Sequence, residues 1–183
     1  RLRQAVSLAV RRAGLVGILN LDMNGLKSIN DQYGHRAGDA AIRETGQRIA
    51  RISRRSDTVA RLGGDEFGVI LPELANGDNL LTHTARLADA IRQPFHFENM
   101  PLSLEASIGH AICPDDGTDI DVLIDRADQA MYRIKTSGKG AFALADGDDD
   151  EQGRMFGFLE GGTFSWAFLT SYDGSVVGGM STD

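Results

Sequence analysis

The eleven residues RLGGDEFGVIL, positions 61 to 71, constrain this chain more than any other stretch. Two apolar runs of β type, DTVARL (57–62) and EFGVIL (66–71), meet at Gly63 and Gly64, with Asp65 and Glu66 side by side just beyond. Runs of this length joined through glycine predict a tight β-hairpin with Gly63-Gly64 as its turn, because glycine supplies positive φ without steric cost. Read alone, the two acids solvate a hairpin tip. The flanking strands read as core, however, so the acids fall at its edge, where like charges repel unless a cation lies between them.

Helices and strands alternate around that hairpin. Leu2, Ala5, Val6 and Val10 recur at helical spacing over residues 2–12, and Gly14 stops the pattern. LVGILNLDM is short and apolar, as a buried strand would be, and ends at Asp22. Ile42, Thr45, Ile49 and Ile52 predict a helix over about 38–53, and Leu80, Leu81, Thr84, Leu87, Ala88 and Ile91 predict another that Pro94 ends. LEASIGHAIC is a strand. A last helix carries Leu123, Ala127, Ala130, Met131 and Ile134 on one face, and TSGKG breaks it before a short strand, AFALA. The pattern predicts an α/β (α+β) domain over 1–145.

The remainder, 146–183, opens with the acidic run DGDDDEQG, which reads as a solvated linker. Asp146, Asp148 and Asp150 alternate as in a calcium loop, but Glu151 stands where that loop needs glycine and Gly157 where it needs a bidentate acid. Beyond it, aromatic and β-branched alternation around Asp173-Gly174 reads as a hairpin-like tail.

A formal charge of -7 argues against a general basic face for long nucleic acid. Cys113 is the only cysteine, so no intramolecular disulfide forms. No apolar run approaches the roughly 20 residues of a membrane span, and the start lacks a secretory h-region with a cleavage site. The expectation is a cytoplasmic protein.

Asp22 at a strand end and the acids of a neighbouring hairpin make an oxygen-rich set suited to a hard cation. Two such ions can clamp both sides of a phosphoryl displacement. Lys27, Lys135 and Lys139 are candidate phosphate cations, although each alone reads as solvated surface. The segment around Lys139 is no Walker loop, because Arg133 takes the place of its first glycine and Gly140 that of its Ser/Thr.

LDMNGLKSINDQYGHRAGD, RLGGDEFGVILP and RADQAMYRIKTSGKG, in this order, resemble the GGDEF domain family of diguanylate cyclases over about Leu15 to Leu144. The resemblance implies a central, mostly antiparallel sheet flanked by helices, like the class III nucleotidyl cyclases and the polymerase palm. It implies condensation of two GTP into cyclic di-GMP and two pyrophosphates, with magnesium or manganese, across a homodimer. By resemblance, Asp22, the Met23 carbonyl, Asp65 and Glu66 serve the metals, and Asp65 and Glu66 are the catalytic acids. Gly63 and Gly64 let phosphates approach; Lys27, Lys135 and Lys139 bind them, Lys139 standing where the family usually has arginine. Asn30 and Asp39 match the guanine-reading positions, and a carboxylate can accept from both guanine N1 and N2. Their plain alternative is a helix cap and a helix start.

Arg54 and Asp57 match an RxxD product-inhibition site for cyclic di-GMP. The family usually begins with a DxLTGLxNR segment that this chain lacks, and the expectation is an upstream sensory or receiver domain. The competing reading is a catalytically silent module that binds GTP or cyclic di-GMP and regulates an attached domain or partner.

Overall fold

The computed structural model describes residues 1–137 and the strands at 142–144, 154–160, 163–169 and 176–182, with side chains described for 1–136. Helix α1 (Leu2–Arg12) ends on Ala13, which is itself left-handed at φ 49°, while the Gly14 N–H closes on the Ala9 carbonyl at 3.0 Å. The helix covers the predicted 2–12, with Ala13 rather than Gly14 as its left-handed cap. Strand β1 (Leu15–Asn24) runs two residues past Asp22.

Helix α2 (Leu26–Tyr33) was not apparent in the sequence. It lies between Gly25 at φ 85° and Gly34 at φ 83°, and its eight residues bury only Leu26 and Ile29, too few to show a period. Helix α3 (His35–Ile52) starts three residues ahead of the predicted position, because Ala37 and Gly38 are already buried. The hairpin is β2 (Thr58–Gly63) and β3 (Glu66–Leu74), paired Gly63 to Glu66. Its tip is therefore Gly64-Asp65 rather than Gly63-Gly64, with Gly64 at φ 48°. Strand β3 continues through Pro72, because β2 reaches only as far as Ile70 and leaves that edge open.

Helix α4 (Gly77–Arg92) is capped by Asn76, whose Oδ1 accepts from the Asn79 N–H at 3.0 Å. At its other end the buried Arg48 donates to the carbonyls of Ala90, Ile91, Gln93 and Pro94, satisfying groups that a helix C-terminus leaves open. A small hairpin follows, β4 (Phe95–Phe97) and β5 (Met100–Leu102), turning on Glu98 and Asn99, both at positive φ. Without glycine in that turn the sequence carried no hairpin signal. Strand β6 (Glu105–Cys113), helix α5 (Ile120–Ser137) and strand β7 (Phe142–Leu144) complete the predicted series. Strands β8 (Arg154–Glu160), β9 (Thr163–Leu169) and β10 (Val176–Thr182) come last; Asp146, Asp148, Asp150 and Asp173-Gly174 lie outside the described residues.

The main sheet has the order β10-β9-β8-β7-β6-β1-β3-β2, and among the described residues only β6 and β7 pair in parallel. It is thus the expected mostly antiparallel sheet. β1 is central, between β3 and β6. One face packs α3 and α4 around Leu19, Leu21, Phe67, Val69, Leu80 and Ile108. The other packs α1 and α5 around Val6, Ile18, Ala111, Cys113, Leu123 and Ala127. Because strand side chains alternate, Asp22 shares the second face with Ile18 and looks toward α5.

Candidate active site

Asp22 pairs in register with Glu66 on β3 and with Ser107 on β6. One residue on, the Met23 N–H donates to the Asp65 carbonyl at 3.1 Å, which ties the hairpin tip to the end of β1. The Met23 side chain turns into the α3/α4 core, so only its main chain is available to the site. Arg61 fixes the tip from within, its Nε and Nη2 donating to the Gly64 carbonyl at 3.0 and 2.7 Å. Asp65 is half-buried and Glu66 exposed.

Helix α5 crosses this end of the sheet at close range. A Cβ on Gly109 of β6 would fall 2.1 Å from both the Ala127 carbonyl oxygen and the Met131 nitrogen, so only glycine allows the helix backbone to sit there. Two polar contacts follow along the helix. Asn20 donates to Asp128 at 3.3 Å, and Lys135 Nζ lies 2.8 Å from Asp22 Oδ2. That hydrogen bond raises the Lys135 pKa above the ordinary lysine value; partial desolvation opposes it, and the charges of Asp22, Asp65 and Glu66 add to it. Three acids and one lysine therefore share one field. The Asp22 side chain is almost wholly buried, and its Oδ1 meets no donor among the described residues.

Such an orphaned carboxylate oxygen fits a hard cation. Among the described residues no three His, Cys, Asp or Glu side chains form a ready-made metal cage. Magnesium commonly takes one or two protein carboxylates and completes its shell from phosphates, and Asp22 with a main-chain carbonyl matches that habit.

The other predicted residues fall in two further places. Lys27 is exposed on the first turn of α2. Asn30 lies inside α2, half-buried, with Oδ1 buried and no donor to it among the described residues, and Asp39 is exposed within the first turns of α3. Neither residue caps or starts its helix. Lys139 lies outside the described residues. On the far side of the hairpin, Arg54 to Asp57 forms a closed turn after α3: the Arg54 N–H donates to Asp57 Oδ2 at 2.6 Å and the Asp57 N–H to the Arg54 carbonyl at 3.0 Å. The Arg54 side chain is exposed.

Sequence reasoning missed His83 of α4, which faces this turn. Burial lowers its pKa, Asp57 opposes the shift, and Arg86 and Arg54 reinforce it. No sequence signal could have found it, because α4 reaches the turn only through folding.

The sequence model described as "Diguanylate cyclase, GGDEF domain" matches residues 1–141. The chain belongs to the GGDEF domain family. This GGDEF domain is 39% identical over 144 residues to MucR of Pseudomonas aeruginosa, named a bifunctional diguanylate cyclase/cyclic di-GMP phosphodiesterase, covering 79% of this chain and 21% of MucR. It thus spans about a fifth of that relative's length. The crystal structure of the GGDEF domain of TpbB (YfiN) from Pseudomonas aeruginosa matches with a TM-score of 0.77 at 35% identity, covering 80% of this chain and 91% of that one. The GGDEF domain of DgcB from Caulobacter crescentus, solved in complex with c-di-GMP, matches with a TM-score of 0.69 at 26% identity, covering 79% and 84%. No helix among the described residues is long and apolar enough to cross a membrane.

Proposed function

We propose that this GGDEF domain is a diguanylate cyclase, condensing two GTP into cyclic di-GMP and two pyrophosphates. The observation that carries the reading is the buried Asp22 carboxylate, with one oxygen on Lys135 and the other without a donor among the described residues, beside Asp65 and Glu66. Magnesium or manganese, when bound, supplies positive charge to the triphosphate and to the leaving pyrophosphate. Asp22, Asp65 and the Met23 carbonyl would hold it. Glu66, exposed at the rim, joins them or takes the proton of the attacking 3′-hydroxyl. Lys135 turns its ammonium to the phosphates, with Lys27 and Lys139, while Asn30 and Asp39 read guanine.

Each bond formed joins a 3′-oxygen to the α-phosphorus of the other nucleotide, and each bond broken releases pyrophosphate. Two copies of the domain therefore face each other as a homodimer. Product returns to Arg54 and Asp57 as an inhibitor, where arginine can stack on guanine and fork onto phosphate. We place the protein in the cytoplasm, with residues 1–145 as the cyclase domain, 146–183 as an appended segment, and a sensory domain upstream.

A second reading has its own support: in this structure Lys135 neutralises Asp22, as would suit a silent module that binds GTP or cyclic di-GMP. Incubation with GTP and magnesium followed by chromatography separates the two. Cyclic di-GMP with two equivalents of pyrophosphate is expected; GTP recovered intact, yet bound in calorimetry, would leave the silent module.

A further inference from the structure

We infer that Gly38 is a positioning residue for purine recognition: its missing side chain leaves the seat in which the Asn30 carboxamide rests. The inference rests on reading Asn30 and Asp39 as the guanine-facing pair. α2 and α3 are joined through Gly34 alone, with the Gly34 N–H on the Asn30 carbonyl at 2.9 Å and the Gly38 N–H on the Gly34 carbonyl at 3.4 Å. This hinge folds the second half of α2 onto the first turns of α3. Gly38 is buried at that contact, inside a helix, where glycine is a poor helix former.

Its presence has a local cause. A Cβ at position 38 would lie 2.0 Å from Asn30 Oδ1, 2.8 Å from Cγ and 3.2 Å from Nδ2. The distances rise from Oδ1 to Nδ2, so the carboxamide is seated with its oxygen against Gly38. No hydrogen bond within the described residues anchors that amide, and its Oδ1 is buried without a donor. The carboxamide is therefore held by shape, with Oδ1 turned in against Gly38 and the Nδ2 donors left for a ligand. Asp39, the next residue, stands beside it. Any side chain at 38 evicts the amide from the seat while leaving Asp39, the phosphate lysines and the acids where they are.

The test is a double-mutant cycle of Asn30→Ala, Gly38→Ala and the pair, titrated by calorimetry with 3′-deoxy-GTP and 3′-deoxy-ATP, which lack the attacking hydroxyl. Each single change is expected to weaken the guanine nucleotide by about tenfold, the usual consequence of losing one hydrogen bond to a buried polar group, and to leave the adenine nucleotide unchanged. The double mutant is expected to be no weaker than either single, because the two changes remove one contact.

Melting temperatures of the same four proteins test the seat without any nucleotide. Gly38→Ala should stabilise the Asn30→Ala background, where the space is free, and fail to stabilise the Asn30 background. Guanine binding by Gly38→Ala equal to the parent's, or losses that add in the double mutant, would overturn the inference. An Asn30→Ala variant that binds guanine as the parent does would remove the guanine reading instead, and equal effects of Gly38→Ala on melting in both backgrounds would remove the seat itself. A Gly38→Ala protein too unstable to titrate supports the seat if the double mutant folds, and overturns it if the double mutant fails as well.

Discussion

The two faces of the sheet are built from different residues on the same three strands. Toward α3 and α4, β1, β3 and β6 present Leu19, Leu21, Phe67, Val69, Leu71 and Ile108, and the helices answer with Leu80, Leu87 and Ile91. Toward α1 and α5 they present Val16, Ile18, Ala111 and Cys113, with Gly109 bare against the α5 backbone. Large aliphatics fill most of the first face, where even the bare Gly17 meets the Leu80 side chain and no helix backbone. Small residues on the second let α5 approach closely enough for Lys135 to reach Asp22 and Asp128 to reach Asn20. The larger hydrophobic cluster lies on the first face, and the buried Asp22 carboxylate with its Lys135 partner at the end of the second.

The largest effect should come from the second face. Asp22→Asn keeps shape and removes charge, and synthesis of cyclic di-GMP should fall by ~10²–10³ or more, the scale for deleting one electrostatic anchor of a transition state. Its unfolding midpoint should move little, since the amide keeps the volume of the buried side chain and losing its charge also relieves repulsion from Asp65 and Glu66. Near-parental synthesis by this variant would break the division between the faces at its centre.

On the first face Leu80, wholly buried, supplies the converse. Leu80→Ala should cost ~2–5 kcal/mol by urea unfolding while the rate per folded molecule stays within about twofold. A comparable fall in rate would mean that the two faces are coupled through β1.

Gly109→Ala crosses the division. Its Cβ meets backbone on α5, which must shift as a body, so stability should fall by ~1–3 kcal/mol and the KM for GTP should rise as Lys135 leaves Asp22. An unchanged KM would show that Lys135 reaches the phosphates without the close approach of α5.

The last effect is absent at neutral pH. His110, fully buried on β6, has its pKa lowered by burial to about 3. The unfolded chain binds its proton near pH 6.5 and the folded chain does not, so stability is fully present above about 6.5 and declines as pH falls toward about 3. His110→Phe should flatten that decline in acid unfolding curves; an equal slope in both proteins would assign acid sensitivity elsewhere.

Most elements were legible because their patterns are local. The periods of α1, α4 and α5 mark one apolar face each, and β1 and β6, buried on both faces, read as continuous apolar runs, so a short window carries the signal. α2 and the β4–β5 hairpin were not legible: the first is too short for a period, and the second turns on Glu98-Asn99 without the glycine that announces such a turn. The acids and the lysines were visible as residues, and the family motif assigned them candidate roles.

By itself the sequence determined the α/β (α+β) class, the hairpin and the identity of the charged groups, since hydrophobic period and glycine placement act over neighbouring residues. Which groups meet was decided only by the tertiary structure. Lys135 stands 113 positions from Asp22, and their 2.8 Å contact depends on β1 lying beside β6 and on Gly109 admitting α5. His83 reaches the Arg54–Asp57 turn, and Gly38 seats Asn30, through helix packing of the same kind. Electrostatic and steric contacts act over a few ångströms in space, and distance along the chain carries no record of them until the core has closed.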